Sequence, residues 1–245
     1  MLIVGGGDGT ISAAAGAVAG SATTLGILPL GTLNHFARDL AIPNDLDEAA
    51  ALIASGPERR VDIAEMNGRT FINNSAVGLY PLMVVDRDLQ RTRLGRSKRL
   101  AMAVASVRTL ARFGHQRLSL TVNDLAAQVD TPLLFVGNNE YKLALPGAGQ
   151  RERLDGGQLC VLVLRKKTRV GFIAATLRAL IGHARHDDLV RIDDVDRLRV
   201  GSGRGHLTIS LDGEVLSVKP PLDYRIRKQA LRVIAPPAGP TAQEK

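Results

Sequence analysis

GGGDGTIS, at Gly5–Ser12, stands between a short apolar run and a segment rich in small residues. A glycine-rich turn from a strand into a helix lets backbone N–H groups approach phosphate oxygens, and the helix N-terminus adds a favourable dipole. The stretch therefore predicts a phosphate-binding turn between a strand at Leu2–Val4 and a helix at Ile11–Ala19. Asp8 lies inside the turn, where its carboxylate would repel a phosphate unless Mg²⁺ or hydrogen-bond donors lie between them. Metal-bridged phosphate is the prediction for Asp8, and helix capping is its alternative.

The residues that follow repeat the order of strand, glycine loop and helix. Gly26–Leu30 predicts a second strand, and the loop Gly31–Asn34 leads into a helix over Phe36–Leu40. A third helix is predicted over Asp47–Ala54, because Gly and Pro follow it directly. Alternating strands and helices are typical of a parallel sheet that is covered on its faces. The sequence thus predicts an α/β nucleotide-binding domain over residues 1–58.

Beyond this domain the pattern changes to many short apolar runs. Leu207, Ile209 and Leu211 alternate with polar residues, which is the pattern of a half-buried strand. A succession of such runs predicts an antiparallel β-sandwich, interrupted by two amphipathic helices near residues 100–112 and 170–181. The predicted boundaries are 59–228 for this β-rich domain, 229–235 for a strand that returns to the first domain, and 236–245 for a disordered tail.

Positive charge is in excess, +8 over 245 residues, and it concentrates in two clusters. Nine Lys or Arg residues lie from Arg87 to Arg117, and RKKTR covers Arg165–Arg169. Such clusters are either solvated helix faces or patches that attract nucleic acid or an anionic membrane. Aromatic residues make up only 3% and Trp is absent, which disfavours base stacking and therefore a nucleic-acid partner. We expect an anionic membrane surface as the partner, and the single Cys160 fits a reducing compartment.

A second motif, LPLGTLNHFARDL, covers Leu28–Leu40. Together with GGGDGT it resembles the catalytic domain of the diacylglycerol kinase and sphingosine kinase family, in its bacterial lipid-kinase branch. The similarity continues along the chain in FINNSAVGLY at Phe71–Tyr80, FVGNNEY at Phe135–Tyr141, RLDGGQL at Arg153–Leu159 and LDGE at Leu211–Glu214.

The resemblance implies an ATP-dependent kinase that transfers the γ-phosphoryl group to a lipid hydroxyl of the diacylglycerol type. It implies ATP and Mg²⁺ as cofactors. The basic clusters, in turn, predict a peripheral location at the cytoplasmic face of the membrane. Glu214 is the expected proton acceptor, and Asp212 beside it is expected to orient the site or its metal. The residues expected to line the nucleotide site are Gly5, Gly6, Gly7, Asp8, Gly9, Thr10, Thr32 and Asn34.

The chain departs from the family pattern at three places. His35 follows Asn34 where the family has an aspartate, so an imidazole replaces a carboxylate. In the family's structural Mg²⁺ loop, which ends in DDG or NDG, the usual aspartate position falls on Gly156, and Asp155 is the candidate metal ligand instead. Family members also carry further strands before the glycine turn. We therefore expect an incomplete first domain, from a truncated or mis-assigned start or in a naturally shortened relative.

Two other functions stay open on the sequence alone. A non-catalytic nucleotide- or lipid-binding relative would retain the fold without transferring phosphate. An NAD kinase would share a GGDG turn, but that family lacks LPLGTLNHFAR. The identity of the lipid is also open, as is the oligomeric state. Because acyl pockets are apolar and permissive, diacylglycerol, monoacylglycerol, phosphatidylglycerol and a sphingoid base are all compatible acceptors.

Overall fold

The computed structural model describes residues 1–78, 114–142, 149–151, 153–165, 171 and 189–237. The basic clusters fall largely outside these residues, as do the two helices predicted near 100–112 and 170–181 and most of the predicted tail. The helices are α1 (Asp8–Val18), α2 (His35–Asp39) and α3 (Leu46–Ser55). The strands are β1 (Leu2–Gly6), β2 (Thr24–Pro29), β3 (Glu58–Met66), β4 (Arg69–Phe71), β5 (Asn74–Gly78), β6 (Gln116–Val122), β7 (Leu125–Thr131), β8 (Leu133–Asn138), β9 (Leu159–Leu164), β10 (Leu189–Val195), β11 (Arg197–Ser202), β12 (Leu207–Leu211), β13 (Glu214–Val218) and β14 (Leu222–Ile234).

The first sixty residues form strands and helices in the predicted order. Helix α3 begins after Asp45, whose side chain accepts hydrogen bonds from the backbone N–H groups of Asp47 and Glu48, both at 3.0 Å. This N-cap satisfies donors that the first helical turn leaves unpaired. Glycine occupies the N-cap position of helix α1, so no capping side chain covers the first N–H groups of that helix.

The first sheet is mixed rather than purely parallel. Its strands run in the order β1-β2-β14-β11-β6-β7, and β3 pairs with β14 and β4. Strand β14 joins the two parts, because Arg232 and Val233 pair in parallel with β2, whereas Leu222–Arg225 pair antiparallel with β11. The register of β14 against β3 shifts between Arg227 and Leu231, that is, between the segment that pairs with β11 and the segment that pairs with β2. The α/β layer and the β-sandwich therefore share a sheet.

The second sheet has the order β10-β9-β8-β5-β12-β13, and each of its pairs is antiparallel. Buried side chains from both sheets form the sandwich core, in which the rings of Phe71 and Tyr224 meet edge to face at 6.2 Å. A second core lies between the parallel strands and the helices and includes Ile11, Ile27 and Phe36. The predicted combination of α/β and antiparallel β-sandwich architecture is thus confirmed, with one mixed sheet as its link.

Sequence periodicity missed three strands. Strand β7 alternates weakly because six of its seven residues are not buried. Strands β10 and β11 carry the charged run RIDDVDRLR, whose polar residues obscure the apolar alternation. In the described part of the chain, the structure has no helix of the length and apolarity that crossing a bilayer requires.

Candidate active site

The two glycine turns pack against each other at the ends of β1 and β2. A Cβ atom on Gly31 would lie 2.5 Å from the Cα atom of Gly7, so the backbones touch at a point where no side chain fits. Asn34, at the end of the second turn, itself has a left-handed backbone conformation with φ of 46°. Its Oδ1 accepts from the N–H of Gly31 at 2.9 Å, and its Nδ2 donates to the carbonyls of Pro29 and Gly31, both at 3.0 Å. The side chain of Asn34 is therefore engaged in shaping its own turn.

Asp8 links the first turn to the second. Its Oδ1 accepts from the backbone N–H of Phe36 at 3.2 Å, so this carboxylate caps α2 rather than its own helix. The capping alternative for Asp8 is thus present in the structure. Gly9 is different, because nothing lies within 4 Å of a Cβ built on it. Packing within the described protein therefore does not explain why position 9 is a glycine. Thr10 and Thr32, which were also predicted to line the nucleotide site, are both exposed.

The LDGE motif forms a two-residue hairpin turn between β12 and β13. Leu211 and Glu214 pair across the strands, and Asp212 and Gly213 between them have φ of 46° and 87°. Positive φ at both central residues defines a type I′ turn, for which Asp-Gly is a preferred sequence. The turn places Glu214 at the start of β13, where its side chain is exposed.

The Asp212 carboxylate is enclosed by donors although its turn lies near the surface. Oδ1 accepts from the N–H groups of Asn73 and Asn74 at 2.8 and 3.0 Å. Oδ2 accepts from the N–H of Ile72 at 2.8 Å and from the hydroxyl of Ser12 at 2.5 Å. Burial raises the pKa of Asp212 above its usual range, while the Ser12 hydroxyl and the three amides oppose that rise by stabilising the charged form. Asp212 thus fastens the hairpin to α1 and to the turn before β5.

A cleft of about 320 Å³ lies between the first helix and the acidic hairpin. Gly9 and Ser12 line one wall, Glu214 lines another, and Arg69, the first residue of β4, completes it. Among the described residues, the side chains of Glu214 and Arg69 have no hydrogen-bond or ion-pair partner. The cleft therefore combines an open glycine turn, a free carboxylate and a free guanidinium.

The remaining predicted metal ligand, Asp155, lies apart from the cleft-lining residues. Its Oδ1 accepts from Nε of Arg153 at 3.0 Å, and its side chain is 34% exposed. Oδ1 of Asn139 is buried, has no hydrogen-bond partner among the described residues, and lies 3.0 Å from where a Cβ on Gly156 would sit. Carboxylate and amide oxygens are ligand types that Mg²⁺ accepts, together with water. Within the described ranges, no cluster of three or more His, Cys, Asp or Glu side chains is arranged for a metal.

Ser12 and Arg69 of the cleft were not among the site residues predicted from the sequence. Ser12 is an ordinary small helix residue in the sequence, and Arg69 follows Asn67 and Gly68 in what reads as a simple hairpin turn. Only the spacing of Ser12, four residues after Asp8 and so on the same helix face, could have indicated that it belongs to the site.

Comparison with known proteins shows which families the chain resembles. Residues 1–66 match the diacylglycerol kinase catalytic domain, and residues 83–235 match the YegS C-terminal NAD kinase beta sandwich-like domain. A protein of Klebsiella pneumoniae named "Probable lipid kinase YegS-like" is 31% identical over 251 residues, covering 98% of this chain and 79% of that protein. A diacylglycerol kinase of Bacillus subtilis is 28% identical over 218 residues, covering 87% and 71%. The crystal structure of a diacylglycerol kinase from Bacillus anthracis shares the fold, with a TM-score of 0.67, 21% identity and coverage of 96% and 76%.

The two family matches and the relative from Klebsiella pneumoniae define the class as that of the lipid kinases. More particularly, the chain belongs to the diacylglycerol kinase catalytic-domain family, in the branch of the YegS-like lipid kinases. The resemblance drawn from the sequence motifs is thereby confirmed.

Proposed function

We propose that this protein transfers the γ-phosphoryl group of ATP to the hydroxyl of a diacylglycerol-type lipid. One observation carries the proposal: a glycine turn with open space at Gly9 faces a carboxylate, Glu214, that has no partner in the described part of the protein. A free acid beside a phosphate-sized opening suits a proton acceptor better than a structural residue. The family assignment favours a lipid kinase over the NAD kinase alternative.

Three parts of the cleft have a role in this reaction: the start of α1, Glu214 and Arg69. The N–H groups at the start of α1 and the dipole of that helix would bind the phosphates of Mg-ATP. As the acceptor oxygen forms its bond to the γ-phosphorus, its proton passes to Glu214. The bond from that phosphorus to the bridging oxygen breaks, and the electron pair leaves with ADP. Arg69 would balance the negative charge that spreads over the transferring oxygens.

Asp212 supports this chemistry by holding the hairpin that carries Glu214. Its carboxylate is occupied by four donors, so we assign it to holding the hairpin rather than to accepting a proton. If the protein carries a structural Mg²⁺ in addition to the one bound by ATP, Asp155 and Asn139 would hold it. There it would tie the turn at 155–157 to the loop after β8.

We further propose that the enzyme works at the cytoplasmic face of an anionic membrane. The two basic clusters of the sequence support this, since each Lys or Arg near such a surface contributes about 1 kcal/mol. Cosedimentation with vesicles that contain or lack anionic lipid tests it. Equal binding to both kinds of vesicle would reject the membrane proposal.

The variant Glu214→Gln tests the proposed catalytic role. It keeps the size of the side chain and removes the proton acceptor, so transfer from labelled ATP to a panel of lipids should fall roughly 100- to 10,000-fold. Nucleotide affinity, measured by calorimetry, should stay within about threefold of the wild type, because uniform binding contacts are intact. Asp124→Asn is the matched control, since Asp124 is an exposed acid in the turn between β6 and β7, outside the cleft.

The outcomes separate the candidate functions. Turnover that is unchanged in Glu214→Gln would reject the assigned base. A wild-type protein that binds ATP and phosphorylates none of the lipids would favour the non-catalytic binding alternative. A wild-type protein that takes up no adenine nucleotide would end the proposal altogether.

A further inference from the structure

Arg151 is not among the residues that line the cleft, yet its side chain joins elements of both domains. The side chain is 0% exposed. Nε donates to Oδ2 of Asp39 on α2 at 2.7 Å, and one terminal nitrogen donates to Oδ1 of Asn73 at 2.8 Å. The other terminal nitrogen donates to the carbonyls of Ile72 and Asn138 at 2.5 and 3.2 Å. Every nitrogen of this buried guanidinium is therefore hydrogen-bonded, as a buried charge requires.

Two aromatic rings hold the same group in place. The guanidinium carbon lies 5.9 Å from the ring centre of Phe36 and 5.3 Å from that of Tyr141. Tyr141 also donates its hydroxyl to the carbonyl of Asn73 at 3.0 Å. A planar guanidinium suits this setting, because it can stack and donate in several directions at once, which a lysine ammonium cannot do.

The contacts of Arg151 continue through neighbouring residues and close on themselves. Asp39 lies on α2, whose Phe36 N–H is bound by Asp8 on α1. Ser12, one turn along α1, donates to Asp212, and Asp212 in turn accepts from the N–H of Asn73, which returns to Arg151. We call this closed set the polar ring; its members are Asp8, Ser12, Phe36, Asp39, Asn73, Arg151 and Asp212.

The polar ring connects two walls of the cleft, α1 and the acidic hairpin, through α2. It includes the first turn of α1, the helix after the second glycine turn, and the hairpin that carries Glu214 two residues after Asp212. A closed ring of contacts holds each element at two points, whereas an element held by a single contact could rotate about that contact. Transfer between a nucleotide on α1 and an acceptor beside Glu214 depends on that spacing to within a fraction of an ångström.

We infer that Arg151 is a positioning residue of the kinase, which acts through the polar ring to set the distance between the glycine-turn helix and the catalytic hairpin. The inference rests on the proposed function for its effect on turnover. Its effect on the distance itself does not depend on the reaction.

The substitution Arg151→Lys is the test, because it keeps the positive charge beside Asp39 and loses the fork of donors to Asn73 and Ile72. We expect kcat to fall about 10- to 100-fold with KM for ATP within about threefold, as for a misplacement of about 1 Å. Combined with Ser12→Ala, which opens the same ring, the loss in kcat should be no larger than that of the more severe single variant. Arg225→Lys is the matched control, since Arg225 makes a similar two-nitrogen contact with Glu65 outside the ring.

A distance measurement gives an answer that does not require activity. Spin labels at Ala17→Cys on α1 and Ser217→Cys on β13 occupy exposed positions, and the native Cys160 is buried. Double electron–electron resonance should show a narrow distance distribution in the otherwise wild-type protein and a shifted or broader one in Arg151→Lys. Thermal melting of each variant identifies any general loss of folding.

The results assign each failure to its cause. An unchanged distance distribution in Arg151→Lys overturns the inference, as does a loss of kcat that adds in full to that of Ser12→Ala. A changed distribution together with a wild-type protein that phosphorylates no lipid leaves the positioning role standing and removes the proposed function. A lower kcat in Arg225→Lys of the same size would show that the ring has no special role, and would also overturn the inference.

Discussion

Replacing Asp212 by Asn tests whether its carboxylate fastens the hairpin or serves the reaction directly. Asn tolerates the left-handed φ of 46° at this turn position, so the backbone is not strained by the change. The Oδ1 of Asn can still accept from the N–H groups of Asn73 and Asn74. Its amide nitrogen replaces Oδ2, however, and cannot accept from the N–H of Ile72, a residue that is 0% exposed.

The expected loss follows from these contacts. The hydroxyl of Ser12 can rotate and accept from the new amide, but the Ile72 N–H loses its acceptor, which costs about 1–3 kcal/mol. The hydrogen bonds from the N–H groups of Asn73 and Asn74 then go to a neutral oxygen and become weaker. The total loss in the free energy of unfolding is therefore roughly 2–4 kcal/mol. For a chain of this size that lowers Tm by about 5–15 °C. Ser12→Ala removes a single donor and should cost only about 0.5–1.5 kcal/mol.

Urea unfolding followed by circular dichroism measures both effects. Asp124→Asn is the control, because Asp124 occupies a hairpin turn with φ of 70° but is exposed, and it should change stability by less than about 0.5 kcal/mol. If Asp212→Asn is as stable as the wild type, the fastening role is refuted. A variant of wild-type stability that no longer transfers phosphate would instead assign Asp212 directly to the reaction or its metal.

Three further substitutions address the cleft. Gly9→Ala has open space for its methyl group and should stabilise α1 by about 0.5–1 kcal/mol, yet weaken nucleotide binding by calorimetry, because the methyl group would occupy the phosphate approach; unchanged affinity would contradict the glycine-turn site. Gly31→Ala would clash with the backbone of Gly7 and should lower Tm in a thermal melt, and a neutral result would show that the two turns can separate. Arg69→Met should reduce kcat about 100- to 1,000-fold in the lipid kinase assay, whereas the exposed strand residue Arg117 should tolerate the same change. Equal effects at the two arginines would remove Arg69 from the site.

Much of the architecture was predictable because local geometry demands particular residues. A turn that brings two backbones into contact needs glycine, and a hairpin with positive φ at both central positions favours Asp-Gly. These requirements are written in single short stretches, so GGGDGT, GTLN and LDGE could be located without any knowledge of their partners. The helices of the first domain followed from the same local signals, including the Gly56 and Pro57 that follow α3.

Other features depend on residues that are far apart in the sequence. The sequence predicted a strand over 229–235 that returns to the first domain, but nothing local indicates that this strand begins at Leu222 and also pairs with β3 and β11. Asp8 was interpreted as a metal-bridging acid because a carboxylate in a phosphate-binding turn would repel its ligand. Its hydrogen bond from the N–H of Phe36 in α2, 28 residues away, depends on how the two turns pack. The charge of a side chain is visible in the sequence, but the donor that reaches it is not.

The sequence by itself determined which turns, helices and alternating strands form, and through its motifs the family. Only the tertiary structure decided that Asp212 is bound by four donors, whereas Glu214 has no partner among the described residues, and that Arg151 closes a ring through both domains. The physical reason is the distance along the sequence over which each effect acts. Backbone conformation is governed by a residue and its neighbours, whereas a hydrogen bond such as that from Ser12 to Asp212 joins positions 200 residues apart and exists only once two sheets have packed together.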